Sequence, residues 1–264
     1  MSNRYYPVGD KELASVTTIT GLADKSDALI PWAVNCAVDY VVNKLYAFGP
    51  RSAQLGLDEL QDARTKWREV RDEAGDIGTQ VHDALEAYLN GVRESGIAPQ
   101  PDDVGYLIAN SGPAVSLFKS AVDKLKALGP YKVLATEQKV VNEDEWYAGR
   151  FDALLEVDGE TWLIDFKTGA SFYPEWGMQL AAYTEAWEQA QPYETYDERY
   201  KYIDRIKVLR LDKKTLKAHW KEYGGEKDTL TRAWYYRAFL GLRDAFYVLK
   251  AKKSAKQAFM ESEG

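Results

Sequence analysis

Asp158-Gly159 separates two runs that read as β-strands, residues 147–157 (YAGRFDALLEV) and 160–168 (ETWLIDFKT), and nothing else in the chain leaves its fold so little freedom. Both runs are rich in aromatic and β-branched side chains, and an Asp-Gly pair between such runs predicts a two-residue type I′ turn. That turn pairs Val157 with Glu160, so the numbers of every opposed pair add to 317, and Asp152 then lies across from Asp165. Counting alternation outward from the closing pair puts the two acids at a non-hydrogen-bonded position, where Cβ atoms are roughly 4.5–5.5 Å apart.

Lys167 lies two residues beyond Asp165 and therefore points to the same face. The opposite face carries Trp162, Ile164 and Phe166 on one strand and Phe151, Ala153, Leu155 and Val157 on the other. One face is expected to be core and the other to gather charge. Two carboxylates this close repel each other, and the relief is a shared proton, the nearby lysine or a divalent cation. Magnesium suits such a place, because it takes one or two carboxylates, keeps several waters and accepts phosphate oxygens. Standing alone, the pattern is better accounted for by a surface salt bridge of Lys167 with two strand acids.

The 264 residues, 45% hydrophobic and 13% aromatic, suffice for one large domain or two small ones with a substantial core. No apolar run approaches the roughly 18 residues that span a bilayer, and the opening MSNRYYPVGDKE has neither a secretory nor a transit-peptide layout. A cytoplasmic location without a membrane partner is expected. Cys36 is the only cysteine, so an internal disulfide and an all-cysteine zinc or iron–sulfur site are excluded, and Cys36 reads as core packing. The net charge of −7 is unevenly spread: residues 199–253 carry 16 Lys and Arg against 6 Asp and Glu, a local +10 that leaves −17 elsewhere. A basic C-terminal quarter on an acidic body fits a DNA groove, and it fits solvated helix faces equally well.

Residues 15–20 read as a short strand or extended entry. Helical periodicity then runs from Asp27 to Phe48, from Leu57 to Val70 and from Gly75 to Val92, leaves 97–110 unassigned, and resumes from Pro113 to Leu128 before Gly129-Pro130. Beyond this the period changes to two. Strands are expected near 131–141, 146–157 and 160–168, then a helix over 174–189, a strand over 203–211 and a closing helix near 226–250. The expected architecture is one α/β domain over residues 1–264, a mixed β-sheet flanked by helices with an N-terminal helical subregion. Residues 1–128 are its mainly helical part, 129–212 the sheet and helix that bear the acids, and 213–264 a basic, helical C-terminal part.

Four further residues are placed to join the acids. His82 sits at the margin of a helix face formed by Ile77, Val81, Leu85 and Leu89, with Gly78 one turn earlier; alone, it reads as an ordinary core or surface histidine. Gln179 and Tyr183, a turn apart, share the side of the following helix that carries Trp176, Leu180 and Trp187, where spacing by itself indicates core packing. Glu137, on the strand before the hairpin, adds a third carboxylate, supports a second metal or simply pairs with Lys139.

In this order the residues resemble the RecB-type branch of the PD-(D/E)XK nuclease superfamily: G-x-x-x-H at Gly78–His82, an acid at Glu137, G-x-x-D at Gly149–Asp152, D-x-K-T at Asp165–Thr168 and Q-x-x-x-Y at Gln179–Tyr183. Within that branch the likeness is to bacteriophage exonucleases and the mitochondrial genome maintenance exonuclease, and it extends over roughly residues 15–187. The resemblance implies a restriction-endonuclease-like fold and a Mg²⁺- or Mn²⁺-dependent exonuclease acting on DNA ends, with single-stranded DNA in the site, in replication, recombination or repair of a bacterial or phage-infected cell. It further implies that His82, Asp152, Asp165 and the Phe166 main-chain carbonyl hold metal, that Lys167 acts on the attacking water, and that Gln179 and Tyr183 shape the site. Glu137 is the loosest of these transfers. The four cysteines with which many relatives hold an iron–sulfur cluster are missing, and no G-x-x-x-x-G-K-[ST] motif is present, so unwinding would fall to a helicase partner; a single-strand-binding protein or recombinase is the other kind of partner implied. A structure-specific endonuclease and a non-catalytic DNA-end-binding protein on the same scaffold are the competing functions.

Overall fold

Asp158 and Gly159 both adopt positive φ, 51° and 81°, so the two-residue turn forms as the Asp-Gly pair predicts. It joins β4 (Tyr147–Val157) to β5 (Glu160–Thr168), and the ladder runs from Val157↔Glu160 to Ala153↔Ile164 in the expected register. There the ladder stops, one pair short of Asp152 and Asp165.

The computed structural model describes residues 4–23, 26–48, 57–97, 112–190 and 200–262. It divides into two compact units, Asp24–Thr79 and a larger one made of Met1–Ala23 with Gln80–Gly264. The smaller unit holds α2 (Ser26–Phe48) and the first part of α3 (Leu57–Ser95). The larger unit is built on a seven-stranded mixed sheet of order β1-β2-β4-β5-β6-β7, with β3 paired to β4. Its remaining strands are β1 (Tyr5–Val8), β2 (Lys11–Ser15), β3 (Tyr131–Asn142), β6 (Arg205–Asp212) and β7 (Lys217–Tyr223).

The pairing of β4 creates a gap in this sheet. β3 occupies one edge of β4 along its whole length, so β5 and β2 share the other: β5 at Ala153–Val157, and β2, in parallel, at Tyr147 and Ala148. The edge over residues 149–152 therefore has no strand beside it, and those residues include the G-x-x-D acid.

Alternation also slips at Asp152. Phe151 meets Trp187 edge-on, with centroids 5.7 Å apart, and Gly149 lies under Tyr183 of the same helix, α5 (Pro174–Ala190); Leu154 belongs to that core as well. Regular alternation cannot put 149, 151 and 154 on one face. Thr136, opposite Ala153, instead turns to α3 and donates to Asn90 Oδ1 at 2.6 Å. The expectation of an apolar face shared by Phe151, Ala153 and Leu155 is thus corrected, and the slip falls where Glu137, opposite Asp152 in register, takes a left-handed φ of 45°.

Helices cover both faces. α5 lies on the face of Asp165, and the last turns of α3 lie on the face of Phe166, next to α4 (Pro113–Lys126) through an edge-on Tyr88–Phe118 contact. Charge and core are accordingly not divided between the two faces, because Leu154 and Leu163 are fully buried on the side that also bears Asp165. α6 (Arg232–Leu249) and α7 (Lys253–Ser262) close the unit: Tyr247 OH donates to the Trp146 carbonyl at 2.7 Å and accepts from Ala14 N–H at 2.9 Å, and its ring stacks on Phe259.

Several local expectations change. Only Ser15 of the segment 15–20 is strand; Val16–Thr20 is a short helix, α1, because the Ser15 hydroxyl accepts from Thr18 N–H and caps it. The two helices expected over 57–70 and 75–92 are one helix of 39 residues, in which Gly75 is accommodated without a break. β1, β2, β7 and α7 were not foreseen; the first three are short, and their pairing rather than their own pattern makes them strands. Residues 98–110 of the unassigned stretch lie outside the described residues. Among the described residues no helix is long and apolar enough to cross a membrane.

The left-handed turn sets a measurable cost. Gly159→Val should lower stability by about 1–2 kcal/mol, read as a lower urea midpoint with unchanged m-value, whereas Asp158→Gly should leave the midpoint within about 0.5 kcal/mol.

Candidate active site

The sheet gap is where the expected residues gather. Asp152, at the slipped position, sends its carboxylate along the sheet rather than to a face, and Oδ2 accepts the Phe166 N–H at 2.5 Å. Residues 160, 162, 164 and 166 of β5 turn their main-chain groups toward β4 by alternation, so that N–H is the one a continued ladder would have paired with Phe151. The Phe166 carbonyl faces the same gap for the same reason.

Asp165 is 2% exposed on the α5 side. Its Oδ1 accepts from Gln179 Nε2 at 3.1 Å, and the same amide donates to the Tyr183 hydroxyl at 3.0 Å. Its Oδ2 stands 2.5 Å from the Lys167 ammonium. From the other face, α3 brings His82 Nδ1 to 3.7 Å from Asp152 Oδ2, with the imidazole edge-on to Phe166 at 6.1 Å. Glu137 holds Arg150 Nε at 2.8 Å. His82, Glu137, Asp152, Asp165, Lys167, Gln179 and Tyr183 therefore gather at this gap. Trp176 is buried against Phe172 and Tyr173, as core packing requires.

Burial sets the electrostatics. Desolvation, and then the neighbouring Asp165, push the Asp152 carboxyl up to about 7, although Lys167 and the Phe166 N–H oppose the rise. Desolvation followed by Asp152 pushes Glu137 up to about 7 as well, so the two titrate as a pair. Desolvation and then Lys167 hold His82 below the usual imidazole value. Lys167 loses some basicity to burial, but Asp165 and Asp152 outweigh this and keep it above the usual lysine range. It is a committed cation, suited to stabilising negative charge rather than accepting a proton.

Among the described residues no three His, Cys, Asp or Glu side chains stand in a ready metal-binding arrangement. The donor set nevertheless fits a hard divalent cation: two adjacent acids with little solvent, an Asp165 oxygen met only by the Lys167 ammonium, a neutral imidazole and a carbonyl turned to the gap. Asp165 would have to exchange part of its contact with Lys167 to bind one.

Three residues were given no role of their own in the sequence reading. A Cβ on Gly149 would stand 2.4 Å from the Tyr183 ring, so the glycine of G-x-x-D is there to admit the tyrosine. Glu86, one helical turn past His82, adds to the charge felt by Glu137, and its i+4 spacing was the available signal. Arg210, beside Lys167 in the parallel β5–β6 ladder, donates to the Gly169 and Ala170 carbonyls at 3.0 Å each and so pins the loop between Lys167 and α5. No local pattern announces a contact that spans some 40 residues.

Comparison with known proteins agrees with this geometry. A family model described as the PD-(D/E)XK nuclease superfamily matches residues 44–239. No curated protein matches the chain. Among solved structures, one titled "Crystal structure of SSO0001" is 16% identical over 66% of this chain and 86% of that chain, with a TM-score of 0.30, too loose a likeness to carry an argument.

Two outcomes follow from the packing and the charges. Gly149→Ala should displace Tyr183 and cost about 1–3 kcal/mol, seen as a lower melting temperature. A carboxyl whose folded pKa exceeds its unfolded value binds its proton more tightly when folded, so Asp152 and Glu137 withdraw stability as pH rises from about 4 to about 7. His82 has the opposite sign, withdrawing stability as pH falls below its ordinary value. In EDTA the melting temperature should therefore drop more between pH 5 and 8 in the parent than in an E137Q/D152N double variant; equal drops would show that the pair does not titrate this way.

Proposed function

The chain belongs to the PD-(D/E)XK nuclease superfamily, and from that premise we propose that it is a divalent-metal-dependent DNA exonuclease of the RecB-type branch, hydrolysing phosphodiester bonds from DNA ends with a single strand in its site. One observation carries the chemistry: two close acids at a break in the sheet, with Lys167 held protonated beside them and the Phe166 carbonyl turned to the same gap. Nucleases of this superfamily generally use divalent metals such as Mg²⁺ or Mn²⁺. When bound, such a cation polarises the scissile phosphate and lowers the pKa of the attacking water.

His82, Asp152, Asp165 and the Phe166 carbonyl are the groups that would hold it. Asp152 is prearranged by the Phe166 N–H, and Asp165 by Gln179, so neither acid has to search for its orientation. Lys167 lies within reach of the same space and stabilises charge developing on the phosphate, while its raised pKa keeps it from acting as the base. Tyr183 and Gln179 fix the α5 side of the site. Glu137, tied to Arg150, supports Asp152 from the neighbouring strand.

The preference for ends rests on the likeness of the motifs to phage exonucleases and is tested apart from the chemistry. With Mg²⁺ or Mn²⁺, end-labelled linear DNA should be degraded and covalently closed circles spared; cutting of circles would make the protein an endonuclease. Lys167→Ala should lower kcat by about 10²–10³-fold, and Asp165→Ala should abolish turnover. An undiminished rate in Lys167→Ala would remove that residue from the chemistry, and no metal-dependent cutting of any DNA would leave a binding scaffold.

A further inference from the structure

Next to the acid pair the surface changes sign. Tyr6 of β1 has the Arg4 guanidinium 5.1 Å from its ring centroid and the Lys139 ammonium 5.5 Å from it, so one aromatic ring gathers cations from the residue before β1 and from β3. Lys139 is opposite Arg150 in the β3–β4 ladder, and Arg150 in turn holds Glu137, the residue across from Asp152. Arg4, Lys139 and Arg150 are exposed, and Tyr6 is partly so. Proximity to the site is also felt electrostatically, since Tyr6 is among the groups that raise the Tyr183 hydroxyl, after burial and the two acids.

Two cations at a partly open tyrosine, with a third opposite Lys139 in the ladder, are conspicuous in a chain of net charge −7. A phosphodiester strand needs both parts of this arrangement. Its phosphates are neutralised by Lys and Arg, and its bases stack on aromatic rings with little regard for sequence. An acidic peptide would use the cations but not the ring, and an apolar partner the reverse.

We propose that Arg4, Tyr6, Lys139 and Arg150 form a subsite for single-stranded DNA, holding the nucleotides next to the scissile phosphate with Tyr6 as the stacking platform. The subsite deepens the nuclease reading and rests on it. It also gives Arg150 two positions to serve, the strand on one side and Glu137 on the other. Trp176 being buried, the stacking surface lies on the β1 side of the gap and not on α5.

The test uses the full chain with Asp165→Asn to block cutting and a fluorescein-labelled oligothymidylate, read by anisotropy in Mg²⁺ over a series of salt concentrations. Lys139→Gln and Arg4→Gln should each reduce the slope of log K against log salt by about 0.7, the value for one phosphate contact on a single strand. Tyr6→Leu should weaken binding about tenfold without changing that slope, and Tyr6→Trp should restore it. As a second measurement, an oligonucleotide carrying 5-iododeoxyuridine should photo-crosslink at Tyr6 in the otherwise unsubstituted Asp165→Asn protein. If the oligonucleotide binds but slope, affinity and crosslink are indifferent to these residues, the subsite is wrong and the nuclease reading stands. If the parent protein neither binds nor cuts DNA, both fall.

Discussion

Where the β4–β5 ladder stops, the Asp152 carboxylate takes up the Phe166 N–H that the next rung would have used. A charge-assisted hydrogen bond of this kind contributes roughly 1.5–3 kcal/mol, more than the neutral main-chain bond it replaces. The exchange lets two strands part without leaving a buried donor unsatisfied, and the candidate site residues gather at the opening it makes. It also explains why the acid is an aspartate: its short side chain reaches the neighbouring main chain and still leaves one oxygen for other use.

The rest of the larger unit is arranged around that opening. Gly149 lacks a side chain so that Tyr183 can lie across β4, and Tyr183 with Gln179 fixes Asp165. Glu137 takes a left-handed backbone to keep β3 in step with the slipped β4, a conformation that costs of order 1–3 kcal/mol and is characteristic of functional positions. The Thr136–Asn90 bond ties β3 to the helix that carries His82. Access from two faces is possible only because the sheet is interrupted, since in an intact ladder Asp165 and Phe166 would address separate compartments.

Burial decides the charge states. An exposed acid pair would be relieved by water, whereas here desolvation is the first cause of the raised carboxyls and leaves protons or a cation as the remaining relief. The same burial, opposed by two carboxylates, keeps Lys167 charged.

The sequence by itself determined the hairpin, its turn and its register, because an Asp-Gly loop and period-two patterning are local signals that β4 and β5 carry within about twenty residues. It also singled out Asp152, Asp165, Lys167, His82, Gln179 and Tyr183 as candidates, by an order and spacing that resemble a known family. It did not contain the end of the ladder at Ala153, the slip at Asp152, the left-handed Glu137 or the clamp from Arg210. Those arise where strands distant in sequence compete for the same edge of β4 and where helices press on both faces. Short edge strands such as β1, β2 and β7 were hidden for a related reason: pairing with neighbours, not their own composition, makes them strands. Identity and order of the reactive groups are local properties of the chain, but the gap that turns them toward one another is a property of the assembled sheet.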